Sequence, residues 1–411
     1  MSDFAHLSPG DFTGYVDAGV LDSNDLHGVR ELLTMAGCSA PPLAWVAMAL
    51  VLRSSRDGHT CVDFSAIDMW RGDINVHGAS PVAWPTEADE WLAALSSVPQ
   101  LVRAPGEAAQ GQRAPFVLDG LLLYTARVHA QEVAVERLLC GERGLGVQVI
   151  LGGPGSGKTT WVASQLMQRL AGGETPNVAL AAPTGKAARR MVQVLESTLV
   201  RNGADASLIA AVRNSESLTV HKLLEYNPGR AVRPGRNASR HIDRDLVIVD
   251  EASMLSLDSM SMLLDALKPG STLWLVGDPD QLASVDAGTV LADVAAGRKM
   301  SANITRLTGQ HRFDATSAIG RLVEKVRTID VEGALATLRA GGDDLVWVDP
   351  VADPDALAAL QQSVIEHARA TCDIALGGDL DAAVAHNLSL QVLCGVRNGP
   401  SGVSHWNSLV E

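Results

Sequence analysis

Residues 150–160 read ILGGPGSGKTT. Gly152 to Thr159 fit the pattern GxxxxGK[ST], with an apolar run before it and an amphipathic run after it, the setting this pattern requires. Gly152, Gly153, Pro154, Gly155, Ser156 and Gly157 can turn backbone N–H groups toward phosphate oxygens, and the helix that follows adds its positive end. Lys158 is placed to neutralise the β and γ phosphates and Thr159 to hold Mg²⁺, with Thr160 beside it. The chemistry expected here is binding of ATP with Mg²⁺.

A second group of residues bears on what becomes of the triphosphate. The apolar run DLVIVD ends in Asp250 and Glu251. An acid at the tip of such a strand is where a Mg²⁺-holding aspartate belongs, and a glutamate next to it suits a base that polarises water. A strand-end carboxylate pair that merely caps the next helix is the alternative. Hydrolysis fits this pair better than transfer to an acceptor. In WLVGDPDQLASVDAG, Gln281 lies just past another strand end, where it can touch the γ phosphate. A turn built from Gly277, Asp278, Pro279 and Asp280 explains the same letters, and the residues alone leave both open. Arg312 in GQHRF is a candidate to stabilise γ-phosphate charge from the side; a surface arginine is the other reading.

Two further segments suit a phosphodiester backbone. APTGKAARRM offers Pro183, Thr184, Gly185 and Lys186, a hydroxyl, free amides and an ammonium at one strand end. LTVHKLL offers Thr219, His221 and Lys222 for the same purpose. Between residues 227 and 244, Arg230, Arg233, Arg236, Arg240 and Arg244 stand among Gly, Pro and Asn. That stretch reads equally as a solvated basic loop or as a nucleic-acid contact.

These residues need a scaffold that brings strand ends together. From about residue 147, continuous apolar runs (VQVIL, NVALAAP, DLVIVD, TLWLVG) alternate with helical segments, which predicts an α/β domain whose parallel sheet is covered on both faces. Ligands then sit at the carboxyl ends of the strands. Residues 1–105 read as a mainly helical domain for packing or partner docking, with helices closed by Gly37 and Gly58 and HTCVDFSAI as a short strand. Residues 106–146 read as a linker and a helix before the nucleotide domain, 147–340 as that domain, and 341–411 as part of another.

The 411 residues are 46% hydrophobic and 19% charged, with a net charge of −14. This is globular material of two or three domains, without a coat of DNA-binding charge but with room for a local basic channel. Cys38, Cys61, Cys140, Cys372 and Cys394 have no metal or redox spacing. No apolar run approaches the ~18 residues of a membrane span, and the acidic start MSDFAHLSPGDFTGYVD is unlike a signal peptide. A cytoplasmic protein is expected.

In order along the chain, GGPGSGKTT, APTGKAARRM, TVHKLL, VIVDEASM, LVGDPDQLASVDAG and GQHRF resemble motifs I, Ia, Ib, II, III and IV of superfamily 1 helicases. The wording DEASM, GDPDQLASVDAGTVLADV and HRF is similar to the RecD branch. GVLDSNDLHGVRELLTMAG, GHTCVDFSAI and PFVLDGLLLYTARVHAQE resemble the part of that family before its motor. The resemblance implies a RecA-like P-loop motor moving 5′ to 3′ on single-stranded DNA, loaded at duplex ends within a complex with RecB and RecC. Double-strand break repair and DNA degradation are the implied roles, with any nuclease site in RecB. It implies ATP roles for Lys158, Thr159, Asp250, Glu251, Gln281 and Arg312, and DNA roles for Pro183, Thr184, Lys186, Thr219 and His221.

Two departures qualify the resemblance. The ending VLCGVRNGPSGVSHWNSLVE is similar to the opening of a second motor domain, and motifs V and VI do not follow. The chain thus reads as truncated, without the arginine that in the family completes the ATP site, and as inactive or weak by itself. The segment before the first motor strand is also shorter than in the family, where it carries a glutamine that reads adenine; Gln131 and Gln148 are the glutamines at hand. A stand-alone RecD-like helicase and a catalytically weak ATP-binding docking subunit are the competing expectations.

Overall fold

The computed structural model describes residues 7–71, 84–106, 114–153, 155–174, 177–214, 217–227, 229, 234–281, 287–307 and 316–411. Pro154, Arg230, Arg233 and Arg312 lie outside these residues. The chain divides into two units, 1–312 and 313–411.

The first unit opens with helices. Ser23–Ala36 starts at Asp22, whose carboxylate accepts from the Asn24 N–H, and stops at Gly37 with φ 61°, a left-handed cap that glycine adopts without strain. Pro42–Ser54 buries every residue from Ala44 to Val51. It is apolar all round because the other elements of this domain surround it. Four short strands follow: β1 (Cys61–Asp63), β2 (Val102–Arg103), β3 (Phe116–Asp119) and β4 (Leu122–Thr125), in the order β1-β4-β3-β2. β3 and β4 form a hairpin in which Phe116 pairs with Thr125 and Asp119 with Leu122. Phe116 and Leu123 are fully buried in one core with Trp91, Phe64 and the two helices. Residues 114–125 therefore belong to the N-terminal domain, and the linker expected across 106–146 is corrected to that extent. The helix Ala126–Leu139 that follows buries Val128, Val135, Leu138 and Leu139 against the next sheet.

That sheet has six strands, all parallel: β5 (Gly146–Leu151), β6 (Val178–Ala182), β7 (Ser217–Thr219), β8 (Leu246–Val249), β9 (Thr272–Gly277) and β10 (Ile304–Arg306), in the order β10-β5-β9-β8-β6-β7. Alternation at period two divides its side chains between two cores. Val147, Val149, Ala179, Ala181, Val247, Val249, Leu273 and Leu275 face the helices Ala126–Leu139 and Leu257–Ala266. Ile150, Leu180, Leu246, Ile248, Trp274 and Val276 face Lys158–Ala171 and Gly185–Arg201. Burial on both faces explains why these strands are continuously apolar in sequence. It also fixes register, because a shift by one residue would exchange the two faces. The architecture is the α/β, RecA-like class expected.

The second unit is helical among its described residues: Ala318–Arg327, Val331–Ala340, Pro354–Leu376, Leu380–Asn387 and Val403–Val410. It has a thin core, with Ala318 and Ala383 its buried hydrophobic residues among those described. No strand occurs among residues 316–411, so the partial second motor domain expected over 341–411 has no RecA-like sheet here. The apolar stretch around Leu390 and Leu393 stays exposed, the latter at 91%. A lone strand leaves its backbone groups unpaired and gains little burial.

Candidate nucleotide and nucleic-acid site

Parallel strands put all their carboxyl ends on one edge of the sheet. Along it, from β5 through β9, β8 and β6 to β7, follow Gly152, Asp278, Asp250, Pro183 and the Thr219–His221 segment. The phosphate loop leaves β5 at Gly152, whose N–H donates to the Gly277 carbonyl at the end of β9 (3.2 Å). Gly155 and Gly157 have φ of 80° and 86°, conformations that L side chains rarely adopt. At Gly152 a Cβ would lie 2.3 Å from Ser156 Oγ and 3.0 Å from the Leu307 carbonyl oxygen. Only a bare backbone fits. Lys158 and Thr159 open the helix Lys158–Ala171, and Lys158 Nζ donates to the carbonyls of Gly152 and Gly153. Ser156 Oγ is buried and has no hydrogen-bond partner among the described residues. A glycine cradle with an ammonium and an unpartnered hydroxyl fits a polyphosphate.

Asp250 follows β8, and its N–H donates to the Ala181 carbonyl of β6 (2.9 Å). Burial pushes its carboxyl above the ordinary aspartate range, opposed by the Glu251 N–H (3.0 Å), Lys158 and Arg190. Glu251 is raised by burial and then by the charge of Asp250, with Asp278 adding to the rise while Lys158 and Arg190 oppose it. Its backbone is left-handed (φ 52°, ψ 39°), unusual for a glutamate and a conformation that sets its direction at the strand tip. Thr159 and Asp250 line one small cavity with Val162, Met191, Leu195 and Val276. A hydroxyl and a carboxylate on one cavity suit Mg²⁺, which prefers few protein oxygens and takes the rest from phosphate and water.

Gln281 Nε2 donates to Asp278 Oδ2 (3.2 Å), and its N–H donates to the Asp278 carbonyl. Asp278 is itself buried, 5% exposed, and takes the Asp280 N–H (3.2 Å). The turn reading of GDPD and the site reading of Gln281 are thus compatible: the turn aims the glutamine back toward the strand ends.

Comparison with known proteins bears on the same segments. Residues 128–343 match the AAA domain family, and residues 17–124 match the family described as RecBCD enzyme subunit RecD, N-terminal domain. The RecBCD enzyme subunit RecD of Mycobacterium tuberculosis is 36% identical over 100% of this chain and 73% of its own length. Its counterpart in Mycolicibacterium smegmatis is 35% identical over 96% of the chain and 73% of its own length. The ATP-dependent RecD2 DNA helicase of Deinococcus radiodurans is 32% identical over 67% of this chain and 31% of that protein. The chain belongs to the RecD family of helicases. Its motor is an ATP-using P-loop domain, and among the described residues no helix is long and apolar enough to cross a membrane.

In this RecD-family chain the segments expected to meet DNA lie at the neighbouring strand tips. Thr184 caps the helix Gly185–Arg201, its hydroxyl accepting from the Ala187 N–H (3.2 Å). Thr219 caps the short helix Val220–Leu223 in the same way, accepting from Lys222 N–H (3.2 Å). Both hydroxyls thus have structural duties as acceptors, and neither donates a hydrogen bond among the described residues. Ala182 and Thr219 are register partners, so the two segments adjoin. Thr184, Gly185 and Lys186 are exposed. His221 stacks on Tyr226 with ring centroids 5.8 Å apart.

Three features were not anticipated. Asp278 is a buried hub and not merely a turn residue. Arg190, one helical turn beyond Lys186, acts on both carboxylates; its signal was the doubled arginine in AARRM. Gln131 and Gln148, the candidate adenine readers, are engaged elsewhere: Gln131 Nε2 with Asp258 (2.6 Å) and Gln148 Nε2 with Thr305 Oγ1 (2.9 Å).

Proposed function

We propose that this RecD-family chain couples ATP hydrolysis to 5′-to-3′ movement along single-stranded DNA, as the motor subunit of a complex with RecB and RecC that engages duplex ends. The observation that carries the reading is the shared edge: the phosphate loop, the carboxylate pair and the two backbone-gripping segments leave the carboxyl ends of β5, β8, β6 and β7, with Asp278 at the end of β9 between the first two. The N-terminal match over 17–124 favours a complex subunit over a stand-alone helicase.

The roles divide as follows. The amides of Gly153, Gly155 and Gly157 and the ammonium of Lys158 hold the β and γ phosphates, while Gly152 and Ser156, whose N–H groups donate to the Gly277 and Gly153 carbonyls, shape the loop together with Pro154, and Thr160 follows in the helix. Thr159 and Asp250 hold Mg²⁺. When bound there, Mg²⁺ would supply neutralisation of phosphate charge. Glu251 accepts a proton from the attacking water, and its native bias toward the protonated form is opposed by Lys158. Gln281, steered by Asp278, contacts the γ phosphate. Arg312 is assigned the lateral γ-phosphate contact. Pro183, Thr184, Gly185 and Lys186 with Thr219 and His221 grip the DNA backbone, chiefly through phosphate and with little sequence preference.

Single-stranded DNA should stimulate ATP hydrolysis by the chain, more so with RecB and RecC present. A chain that binds ATP but shows no DNA-stimulated turnover in the complete complex would be a docking subunit, and the motor reading would fall.

A further inference from the structure

The N-terminal domain reaches the carboxyl edge of the motor sheet through one short loop. The chain leaving the helix Pro42–Ser54 turns at Gly58 and passes through Thr60 into β1. The Gly58 carbonyl accepts the Gly288 N–H (3.2 Å). Gly288 has φ 102°, and a Cβ there would lie 2.9 Å from Leu257 Cβ and 3.4 Å from Thr60 Cγ2. Glycine is required both by this backbone conformation and by the close approach of a residue from each domain. The preceding carbonyl, of Ala287, accepts the Leu257 N–H (3.1 Å) where the helix Leu257–Ala266 begins. The same helix start is held from the N-terminal side a second time. Asp258 takes Gln131 Nε2 (2.6 Å) and Arg127 Nη1 (3.1 Å) from the helix Ala126–Leu139, which continues directly from β4.

Two residues beyond Gly288 the helix Val290–Ala296 begins, and its Leu291 rests on the strand tips. A Cβ on Gly277 would lie 2.5 Å from Leu291 Cδ2, 3.1 Å from the Ser253 nitrogen and 3.3 Å from the Ala252 nitrogen. Gly277 ends β9, and its carbonyl takes the N–H of Gly152 in the phosphate loop. Ala252 and Ser253 follow Glu251 directly. Leu291 therefore meets main chain belonging to the phosphate loop's anchor and to the turn behind Glu251. Leu257, Val290, Leu291 and Ala252 share one buried core with Tyr124 of β4 and with Val128. Interiors are close-packed, so a shift of residues 287–291 is felt at these neighbours.

We propose that Gly58 and Thr60 of the N-terminal domain, acting through Gly288 and Leu291, hold the turn that carries Glu251 in its placement for ATP hydrolysis. This rests on the hydrolysis reading given above. All four are positioning residues, and they act on Glu251 through the main chain of Gly277, Ala252 and Ser253.

The test is steady-state ATPase beside equilibrium binding of a fluorescent ATP analogue, with the full chain in its complex with RecB and RecC and with single-stranded DNA present. Gly288→Ala, which alters the seam at its centre, and Thr60→Leu, which alters it from the N-terminal side alone, should each lower kcat roughly 10- to 100-fold, a displacement of about 1 Å being able to cost about 100-fold. Analogue affinity should stay within about twofold, because the loss falls on the hydrolytic step. Thr60→Val, which keeps Cγ2 beside Gly288, should keep kcat. Asp25→Ala disturbs the same domain away from this contact and should also keep kcat. If Gly288→Ala does not fold, Thr60→Leu decides. Unchanged kcat in Thr60→Leu, or an equal loss in Asp25→Ala, overturns this inference and leaves the motor reading standing. A loss of analogue affinity as large as the loss of kcat overturns it as well. No ATP turnover by the unaltered complex overturns the hydrolysis reading and this inference together.

Discussion

Gly152→Ala puts the phosphate cradle under direct test. The added Cβ would lie 2.3 Å from Ser156 Oγ, 2.9 Å from Ser156 Cβ and 3.0 Å from the Leu307 carbonyl oxygen. Carbon atoms in packed interiors sit about 3.5–4.0 Å apart, so something must move. Ser156 is a small side chain that can rotate, but its Oγ is already buried without a partner among the described residues. The Leu307 carbonyl is backbone, anchored by its own N–H to the Leu151 carbonyl (2.8 Å). The loop therefore yields, at an overpacking cost of about 1–3 kcal/mol. That cost falls on the loop geometry that meets phosphate, so ATP affinity should drop roughly 5- to 150-fold. A fluorescent ATP analogue titrated against both proteins measures it, with thermal unfolding as the control for global damage. Gly153→Ala is the comparison for the fold: its Cβ meets only Asp278 Oδ2, at 3.9 Å, and thermal stability should hold. Adding Ser156→Gly to Gly152→Ala removes two of the three contacts and should recover part of the affinity. Unchanged nucleotide affinity in Gly152→Ala would refute the cradle.

Lys158→Gln should abolish turnover without changing the unfolding midpoint, while Glu251→Gln should bind nucleotide and fail to hydrolyse it; steady-state ATPase beside equilibrium binding separates the two. The pH dependence has a definite sign. Burial raises Asp250 and Glu251, so their contribution to stability is present below the unfolded values and lost as pH rises through the raised native ones. The nucleotide-free protein should lose that contribution on going to neutral pH, and Asp250→Asn should flatten the loss in denaturant titrations. Turnover has the opposite slope, because Glu251 must be ionised to act as base, and kcat should rise with pH. In the N-terminal domain, Asp25 is 2% exposed and takes both guanidinium nitrogens of Arg56 (2.7 and 2.6 Å). Asp25→Ala should cost about 2 kcal/mol, less than the loss of a fully buried pair, since Arg56 can turn to water; chemical denaturation reads it.

The motor sheet was legible because its strands are apolar on both faces and its chemistry stands at strand ends, where a carboxylate or glycine after an apolar run is conspicuous. Spacing could not say which tips adjoin. That follows from strand order, a product of long-range packing: β9 lies between β5 and β8 although both precede it in sequence. The hairpin at 116–125 was missed although Asp119–Gly120 between apolar runs is a turn signal; the Gly- and Pro-rich stretch before it drew the reading toward a linker. Side-chain duties were hidden as well. Thr184 and Thr219 read as phosphate ligands, yet each is also the cap its helix needs, and residue type cannot separate two uses of one hydroxyl. The second unit misled for a different reason: letters similar to a motor opening form a sheet only where partner strands exist.

Geometry also bears on how the proposed grip and the proposed hydrolysis communicate. The helix Gly185–Arg201 begins at the Thr184 cap, beside Lys186. Two turns on, its Met191 and Leu195 line the cavity that holds Thr159 and Asp250. At 1.5 Å per residue, Lys186 and Met191 are separated by about 7.5 Å along the axis. A helix segment that short moves as one piece, and Met191 and Leu195 are buried, at 5% and 0% exposure. A rearrangement of Asp250 on loss of the γ phosphate therefore meets the same rigid element that presents Lys186. Arg190 adds a charge felt by both carboxylates. Nucleotide can bias the grip only through different affinities for two placements of this helix. The packing makes the helix the part of the sheet edge where such a difference would be expressed, without requiring any longer chain of contacts through the domain.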